Sequence, residues 1–499
     1  MTSKSTAEQV ERLQTGIPGL DEVAEGGLPL GRATLVVGTS GAGKTVLASQ
    51  LLAAGIEQFA EPGVLVTFDE TPESVLRNAS SFGWDFERHL AEGRLSLIDS
   101  SPAPDAAILE VGDFDLQGLL AQIEAAIAET GARRVVLDSV TALLPQFEDG
   151  RRIRRELTRV VHALNQLGIT SLLTAERTDE FGSIARFGVE EFVADAVIVL
   201  RNVLTEQRRR RTLEILKLRG GPHRSGEFPF TIDADTGVSV IPLSAIELDR
   251  PASKARISVG NPYVDELFGG GIYRDSLVLV SGPTGTGKTL TALGFLQAAI
   301  DADERALLLS FEESHNQLLR NASSWLQGIE QAEREGKVRL ASIYPERMGL
   351  EDLLHQIGRE IESYGPRRIV LDSLTALERV SSNRSFREFV VRLCAMLKQH
   401  EIAALFTNTS SMISGGETIT DAYVSTITDG IILLRYAEVS GQVRRAITVL
   451  KMRGSDHDRR IREFRITDHG MEVGEPIREA HGLVVPGEGR PLAEHRSPS

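Results

Sequence analysis

Cysteine is almost missing: Cys394 is the single thiol in 499 residues. One thiol excludes an internal disulfide and any zinc site built on several cysteines. Aromatic residues make up only 5% of the chain, yet the hydrophobic share of 41% is ordinary for a globular protein and excludes a disordered one. No apolar run approaches the ~18–20 residues of a membrane-spanning helix. The polar stretch from Met1 to Gln14 lacks the apolar centre of a secretory leader. Basic residues are outnumbered, 55 against 70 acidic ones, for a formal net charge of −15. That balance argues against a general nucleic-acid coat, although a local basic stripe is compatible with it. The expectation is a cytoplasmic protein with neither membrane nor nucleic acid as partner. At roughly 100–250 residues per domain, the length allows two or three domains, each with a real core.

The chain repeats itself once. Leu76-Arg-Asn-Ala-Ser-Ser81 recurs letter for letter at Leu319–Ser324, and Arg133-Arg-Val-Val-Leu-Asp138 returns as Arg367-Arg-Ile-Val-Leu-Asp372. Lys217-Leu-Arg219-Gly220 returns as Lys451-Met-Arg453-Gly454. The offset is about 244 residues early and about 234 late, far beyond the ~20–50 of a solenoid, so the repeat is a duplicated domain. The expected domains are 1–246 and 247–481, with a flexible tail at 482–499 and a linker near 244–254. Each copy alternates short β-branched runs (Leu35–Val37, Val64–Phe68, Val135–Leu137, Ser171–Thr174, Val197–Leu200) with helical stretches such as Ile153–Leu167. That is the pattern of an α/β fold with a mostly parallel, helix-flanked sheet.

Gly38-Thr-Ser-Gly-Ala-Gly-Lys44-Thr45 and Gly282-Pro-Thr-Gly-Thr-Gly-Lys288-Thr289 both match G-x-x-x-x-G-K-[ST], each after an apolar strand and before a helical pattern. Backbone N–H groups of such a loop close on phosphates at a helix N-terminus. A chance glycine loop does not explain two copies in register. The expected nucleotide contacts are therefore Thr39, Ser40, Gly41, Ala42, Gly43, Lys44, Thr45 and Val46 in the first copy. In the second they are Thr284, Gly285, Thr286, Gly287, Lys288, Thr289 and Leu290. The cofactors expected are ATP and Mg²⁺, with Thr45 and Thr289 as metal ligands through their hydroxyls.

Asp138 and Asp372 end hydrophobic strands, where an acidic residue holds the shell of Mg²⁺; alone, such a residue is more often a helix N-cap, but its recurrence downstream of each cradle favours the metal role. The acidic pairs Asp69-Glu70 and Glu312-Glu313 follow other strands, where a carboxylate can orient an attacking water or hydroxyl; a solvated helix start is the plainer alternative. Lys217 and Arg219, like Lys451 and Arg453, stand at spacing i, i+2 on one sheet face. They suit phosphate contact, in cis or from a neighbouring subunit, or a solvated edge strand. The run Arg208–Arg211 is expected at a hairpin end, facing solvent or an acidic neighbour.

The copies differ at one place. Thr418, Thr420, Ser425, Thr426 and Thr428 make the second copy hydroxyl-rich where the first has Glu190 and Glu191. Hydroxyls accept a phosphoryl group and glutamate does not, so self-phosphorylation belongs to the second copy, if the stretch is more than a threonine-rich strand edge.

The duplicated cradles, the FDET and FEES acidic pairs, the KLRG and KMRG segments and the run Glu417–Tyr436 (ETITDAYVSTITDGIILLRY) together resemble the KaiC family of circadian-clock ATPases and autokinases, over about residues 10–475. The resemblance implies two RecA-like domains stacked in a double-ring homohexamer with ATP between subunits. It implies slow hydrolysis in the first ring, and Ser/Thr autokinase and phosphatase activity on Ser425 and Thr426 in the second. By position it makes Glu312 and Glu313 catalytic, with Glu312 also at the metal, and Asp69 and Glu70 their first-ring counterparts. Ser81, Lys217, Leu218, Arg219 and His223 match first-ring nucleotide contacts. Trp325, Arg445, Lys451, Met452, Arg453, Ser455, His457 and Arg459 match second-ring ones. Thr420 matches a phosphate relay, and Arg379 an interface arginine where the first copy has Pro145. Asp69 stands in place of the family's glutamate, and Asp233-Ala234 in place of a Thr-Asp pair. A KaiB-like partner and a histidine-kinase/response-regulator output follow from the resemblance. The chain beyond Pro476 departs from the family, which removes the basis for expecting dependence on KaiA. Two other readings share these motifs: a DNA motor of the RecA/DnaB type, marked by DNA-stimulated hydrolysis, and an ATP-gated scaffold without kinase activity.

Overall fold

The computed structural model describes residues 10–101, 116–142, 150–184, 193–205, 208–242, 253–326, 328–410, 424–439, 442–467 and 470–477. The expected relay Thr420, the pair Glu190-Glu191, Pro145, the 482–499 tail and most of the linker lie outside them. Contacts divide the chain into two compact units, Met1–Leu243 and Ser244–Ser499.

The first unit is built on a sheet of strands β1 (Ala33–Gly38), β2 (Gly63–Thr67), β3 (Leu95–Asp99), β4 (Arg134–Asp138), β5 (Thr170–Glu176), β6 (Ala196–Thr205), β7 (Arg208–Leu218), β8 (Glu227–Asp233) and β9 (Gly237–Val240). Among the described residues its order is β9-β8-β7-β6-β1-β5-β4-β2-β3. The side from β6 to β3 is parallel, and β6 to β9 form antiparallel hairpins. The second unit repeats this order with β10 (Leu277–Gly282), β11 (Ala306–Ser310), β12 (Val338–Ser342), β13 (Arg368–Asp372), β14 (Ala403–Thr409), β15 (Gly430–Val439), β16 (Gln442–Met452), β17 (Arg462–Thr467) and β18 (Gly470–Pro476). The fold is the expected pair of tandem, mostly parallel α/β sheets flanked by helices.

The strands read as continuous apolar runs because both sheet faces are covered. Alternation sends Val36, Leu65 and Val136 to the face that holds helix Lys44–Gln58. Leu35, Val37, Val64 and Val135 go to the opposite face, under helices Gln117–Thr130 and Gly150–Gln166. The central strands are thereby fixed in register, since a one-residue slip would exchange the two apolar faces. Parallel pairing then lines up the strand ends at one edge, where Thr67 stands opposite Asp138 and Gly38 opposite Glu176.

Candidate nucleotide sites

Each cradle turns from strand into helix on a left-handed glycine. Gly43 has φ 100° and Gly287 φ 103°, a region other residues rarely enter. At Gly43 a side chain would also strike Ile232, whose Cδ1 lies 2.7 Å from the position of a Cβ. The helices Lys44–Gln58 and Lys288–Asp301 follow at once, so their free N–H groups face the loop.

A cavity of about 690 Å³ opens on the first cradle. Ser40, Gly41, Gly43, Lys44, Thr45 and Val46 line it with Asp69, Glu70, Asp138, Ser139, Thr141, Glu176, Arg211 and Ile232. The second cradle has a cavity of about 500 Å³ lined by Thr284, Gly285, Gly287, Lys288, Thr289, Leu290, Glu312, Glu313, Asp372, Arg379, Thr409 and Ile466, among others. The remaining loop residues support it. Thr39 Oγ1 donates to Glu180 at 2.5 Å, Thr286 Oγ1 donates to the Pro283 carbonyl at 2.7 Å, and Ala42 is buried.

Lys44 Nζ donates to the carbonyls of Gly38 and Thr39 at 3.0 and 3.1 Å, and Lys288 Nζ to those of Gly282 and Pro283 at 2.9 and 3.0 Å. Burial pushes both ammonium pKa values down, against the pull of neighbouring carboxylates. Thr289 Oγ1 lies 3.0 Å from Asp372 Oδ2. That hydroxyl–carboxylate pair is the hard-oxygen donor set that suits Mg²⁺. Asp372 also accepts from Thr407, as Asp138 does from Thr174.

The two members of each acidic pair are held differently. Glu70 accepts from Asn78 Nδ2 at 2.9 Å and Ser74 Oγ at 3.2 Å, and Glu313 takes both oxygens to Asn321 Nδ2 at 3.2 Å. Glu312 instead faces Arg379, 3.4 Å away, and Ser373 Oγ at the same distance. The literal repeat Leu76–Ser81 and Leu319–Ser324 is explained by this clamp, since it carries Asn78 and Asn321.

Burial first, then the negative charge of Asp138, Glu176 and Glu70, raises the pKa of Asp69 above the ordinary aspartate value. An acid whose folded pKa is raised binds protons more readily folded than unfolded, so it lowers stability as pH rises through that window. Asp69→Asn is therefore expected to raise the melting temperature of the nucleotide-free protein at pH 7. The gain should disappear as pH falls through the raised pKa toward 3.8. Melting curves of both proteins across that range check this; an equal gain at every pH would contradict it.

The structure does not bring every expected residue to its own cavity. Ser81, Lys217, Leu218, Arg219 and His223 do not line the first, nor do Trp325, Lys451, Met452, Arg453, Ser455, His457 and Arg459 the second. Arg445 rests on the cradle loop, its Nε 3.3 Å from the Gly285 carbonyl. Lys217 and Lys451 bind the segments that precede β6 and β15. Lys217 Nζ donates to Ala194 O at 2.7 Å, and Lys451 Nζ to Ser425 O and Thr428 O at 2.7 and 2.6 Å. Arg453 donates to Thr426 O.

The hydroxyl pair Ser425-Thr426 therefore sits on a turn held by two cations, with Thr426 exposed. The turn leads into Asp429, whose N–H bonds Leu277 O at 2.8 Å, at the start of β10. The cradle leaves the other end of that strand. The five steps of ~3.3 Å from Leu277 to Gly282 set the two ends of the strand roughly 17 Å apart.

The Arg208–Arg211 run is corrected by the structure. Arg208 does sit at the hairpin end opposite Thr205, but Arg211 lines the first cavity. Strand alternation separates them, and Arg211 holds the register position that Arg445 holds in the second unit. Glu176 was also missed: its counterpart in the second unit is Thr409, so the repeat carries no trace of it.

A family model described as "ATPase: KaiC" matches residues 13–245 and again 257–478. The chain belongs to the KaiC family. It is 49% identical to the circadian clock protein KaiC3 of Synechocystis sp. over 95% of this chain and 94% of that protein. It is 49% identical to the circadian clock oscillator protein KaiC of Synechococcus elongatus, over 97% and 92% of the two chains. With the Prochlorococcus marinus protein of the same name it shares 50% identity over 94% of each. The duplicated cavities are thus those of a KaiC-type ATPase. Among the described residues no helix is long and apolar enough to cross a membrane.

Proposed function

We propose that this KaiC-family chain binds ATP with Mg²⁺ at both cradles, hydrolyses it in the first unit, and in the second transfers phosphate to Ser425 and Thr426 of another copy. The observation that carries this reading is the placement of the Ser425-Thr426 turn beside the start of β10, while the chain's own cradle leaves the other end of that strand, roughly 17 Å along. Transfer needs reacting atoms about 3–3.5 Å apart. A second copy must therefore present its turn, as a ring homohexamer with nucleotide between subunits would.

Thr45 with Asp138, and Thr289 with Asp372 and Glu312, would hold the metal, which when bound offsets phosphate charge. Lys44 and Lys288 bind phosphate oxygens. Glu312 takes the proton from the attacking hydroxyl, with Arg379 orienting it. Glu313 and Glu70, clamped by asparagines, keep each acidic loop in place, and Asp69 serves the first unit. The nucleotide-contact residues that do not line their own cavity would complete a neighbour's site; Trp325, 39% exposed, is one. In keeping with the names of its relatives, the chain acts as a clock or timing protein, with a KaiB-like partner.

Mixing two silent variants tests the transfer. Ser425→Ala/Thr426→Ala has no acceptor and Glu312→Gln has no base. Co-assembled, they should place phosphate on the Glu312→Gln chain, although neither does so alone. No phosphate in the mixture, with wild type phosphorylated in parallel, would show transfer within one chain.

A further inference from the structure

We propose that Glu176 contacts the attacking water in the first unit, and that its replacement by Thr409 in the second unit biases that site toward a hydroxyl acceptor. This rests on the reading of the first unit as an ATPase. Glu176 ends β5 directly opposite Gly38, the residue that opens the cradle, and lines the cavity with Lys44, Asp69 and Asp138. Thr409 ends β14 opposite Gly282 in the same way and lines the second cavity.

The backbone at the two positions is held alike. Glu176 N donates to Thr141 Oγ1 at 2.7 Å, and Thr409 N to Thr375 Oγ1 at 2.8 Å. Only the side chain differs, a carboxylate against a hydroxyl. The charge around each lysine follows suit: Glu176, Asp138, Asp69 and Glu180 act on Lys44, Glu176 most strongly, whereas Asp372 and Glu312 act on Lys288.

Hydrolysis forms a bond from water oxygen to the γ-phosphorus and breaks the one to the β,γ-bridging oxygen. ADP leaves with that electron pair, and the proton of the water passes to a carboxylate. Asp69 is one methylene shorter than Glu312, and Glu176 supplies a second acceptor that orients the water from the neighbouring strand end. Thr409 cannot take up that proton. Water in the second site is less activated there, and a serine or threonine hydroxyl facing Glu312 competes better.

The test compares wild type, Glu176→Gln, Glu176→Thr and Glu176→Asp as full-length protein. It follows initial ADP formation in excess of phosphate placed on the chain. Binding of a fluorescent ATP analogue is measured in parallel. The expected result is a fall in kcat of about 10²-fold for Gln and Thr with KM unchanged or lower, and partial recovery with Asp. A kcat within threefold of wild type for Gln, or a loss matched by lost nucleotide binding in both Gln and Thr, would overturn the assignment. Wild type with no excess ADP would instead overturn the ATPase reading itself, and the inference with it.

Discussion

Glu312→Gln is expected to lower phosphate incorporation at Ser425 and Thr426 by about 10²–10⁴-fold, the range for removal of a general base. Glu312 is the acidic side chain at the second cavity held by Arg379 and Ser373, each at 3.4 Å, rather than by an asparagine clamp, and these longer contacts can give way to a hydroxyl proton. Glutamine keeps the shape and the contact with Ser373 but cannot take that proton. Nucleotide should still bind, since Lys288, the loop amides and the Thr289–Asp372 pair that holds the metal with Glu312 are untouched, and ATP hydrolysis in the first unit should persist through Asp69. Radiolabel incorporation beside ADP formation checks both. Incorporation within threefold of wild type would remove Glu312 from the role of base.

The second large effect is on stability. Arg134 is buried at the start of β4, 1% exposed. Its Nε donates to Glu61 at 2.8 Å, and its terminal nitrogens donate to the carbonyls of Gln14 and Leu51 at 2.9 Å and of Thr15 at 3.3 Å. Gly55 makes room, because a Cβ there would lie 2.7 Å from Arg134 Cδ, and Phe59 lies under the guanidinium at 5.1 Å. Arg134→Met keeps much of the volume but strips three carbonyls and one carboxylate of their donor. Leaving a buried acceptor without its donor costs about 1–3 kcal/mol, and Glu61, 30% exposed, regains water when the guanidinium is gone. Denaturant unfolding followed at Trp84, in a Trp325→Phe background, should show that loss for the first unit. A change below about 1 kcal/mol would mean that water replaces the guanidinium.

Arg134 also shows where sequence reading stops. It and Arg368 were visible as repeated residues beside strands, but a basic residue opening a strand reads as solvated. Only the packing shows Arg368 buried in the same way, paired with Glu304 at 2.7 Å over Phe295. The fold itself was legible because both sheet faces are covered, which leaves uninterrupted apolar runs separated by helices. The cradles and acidic pairs were legible because their spacing is local and occurs in both copies. Arg211 was hidden because the period of a strand decides which of four consecutive arginines turns inward. Glu176 was hidden because it lies where the copies diverge, and the parallel register that sets it beside Gly38 joins residues far apart in the chain. The geometry of Ser425 and Thr426 was likewise beyond a linear reading: the hydroxyl pattern was plain, its distance from the cradle was not.

Phosphorylation of the chain by its second unit is the central step. Incubation of the purified full-length protein with ATP and Mg²⁺, followed by mass-spectrometric mapping of phosphorylated residues over time, tests this most directly. Phosphate on Ser425 and Thr426, appearing as ATP is consumed, is the predicted result. Steady ATP consumption with neither residue phosphorylated would contradict it and leave an ATP-gated scaffold in which that turn is only the lead into β15.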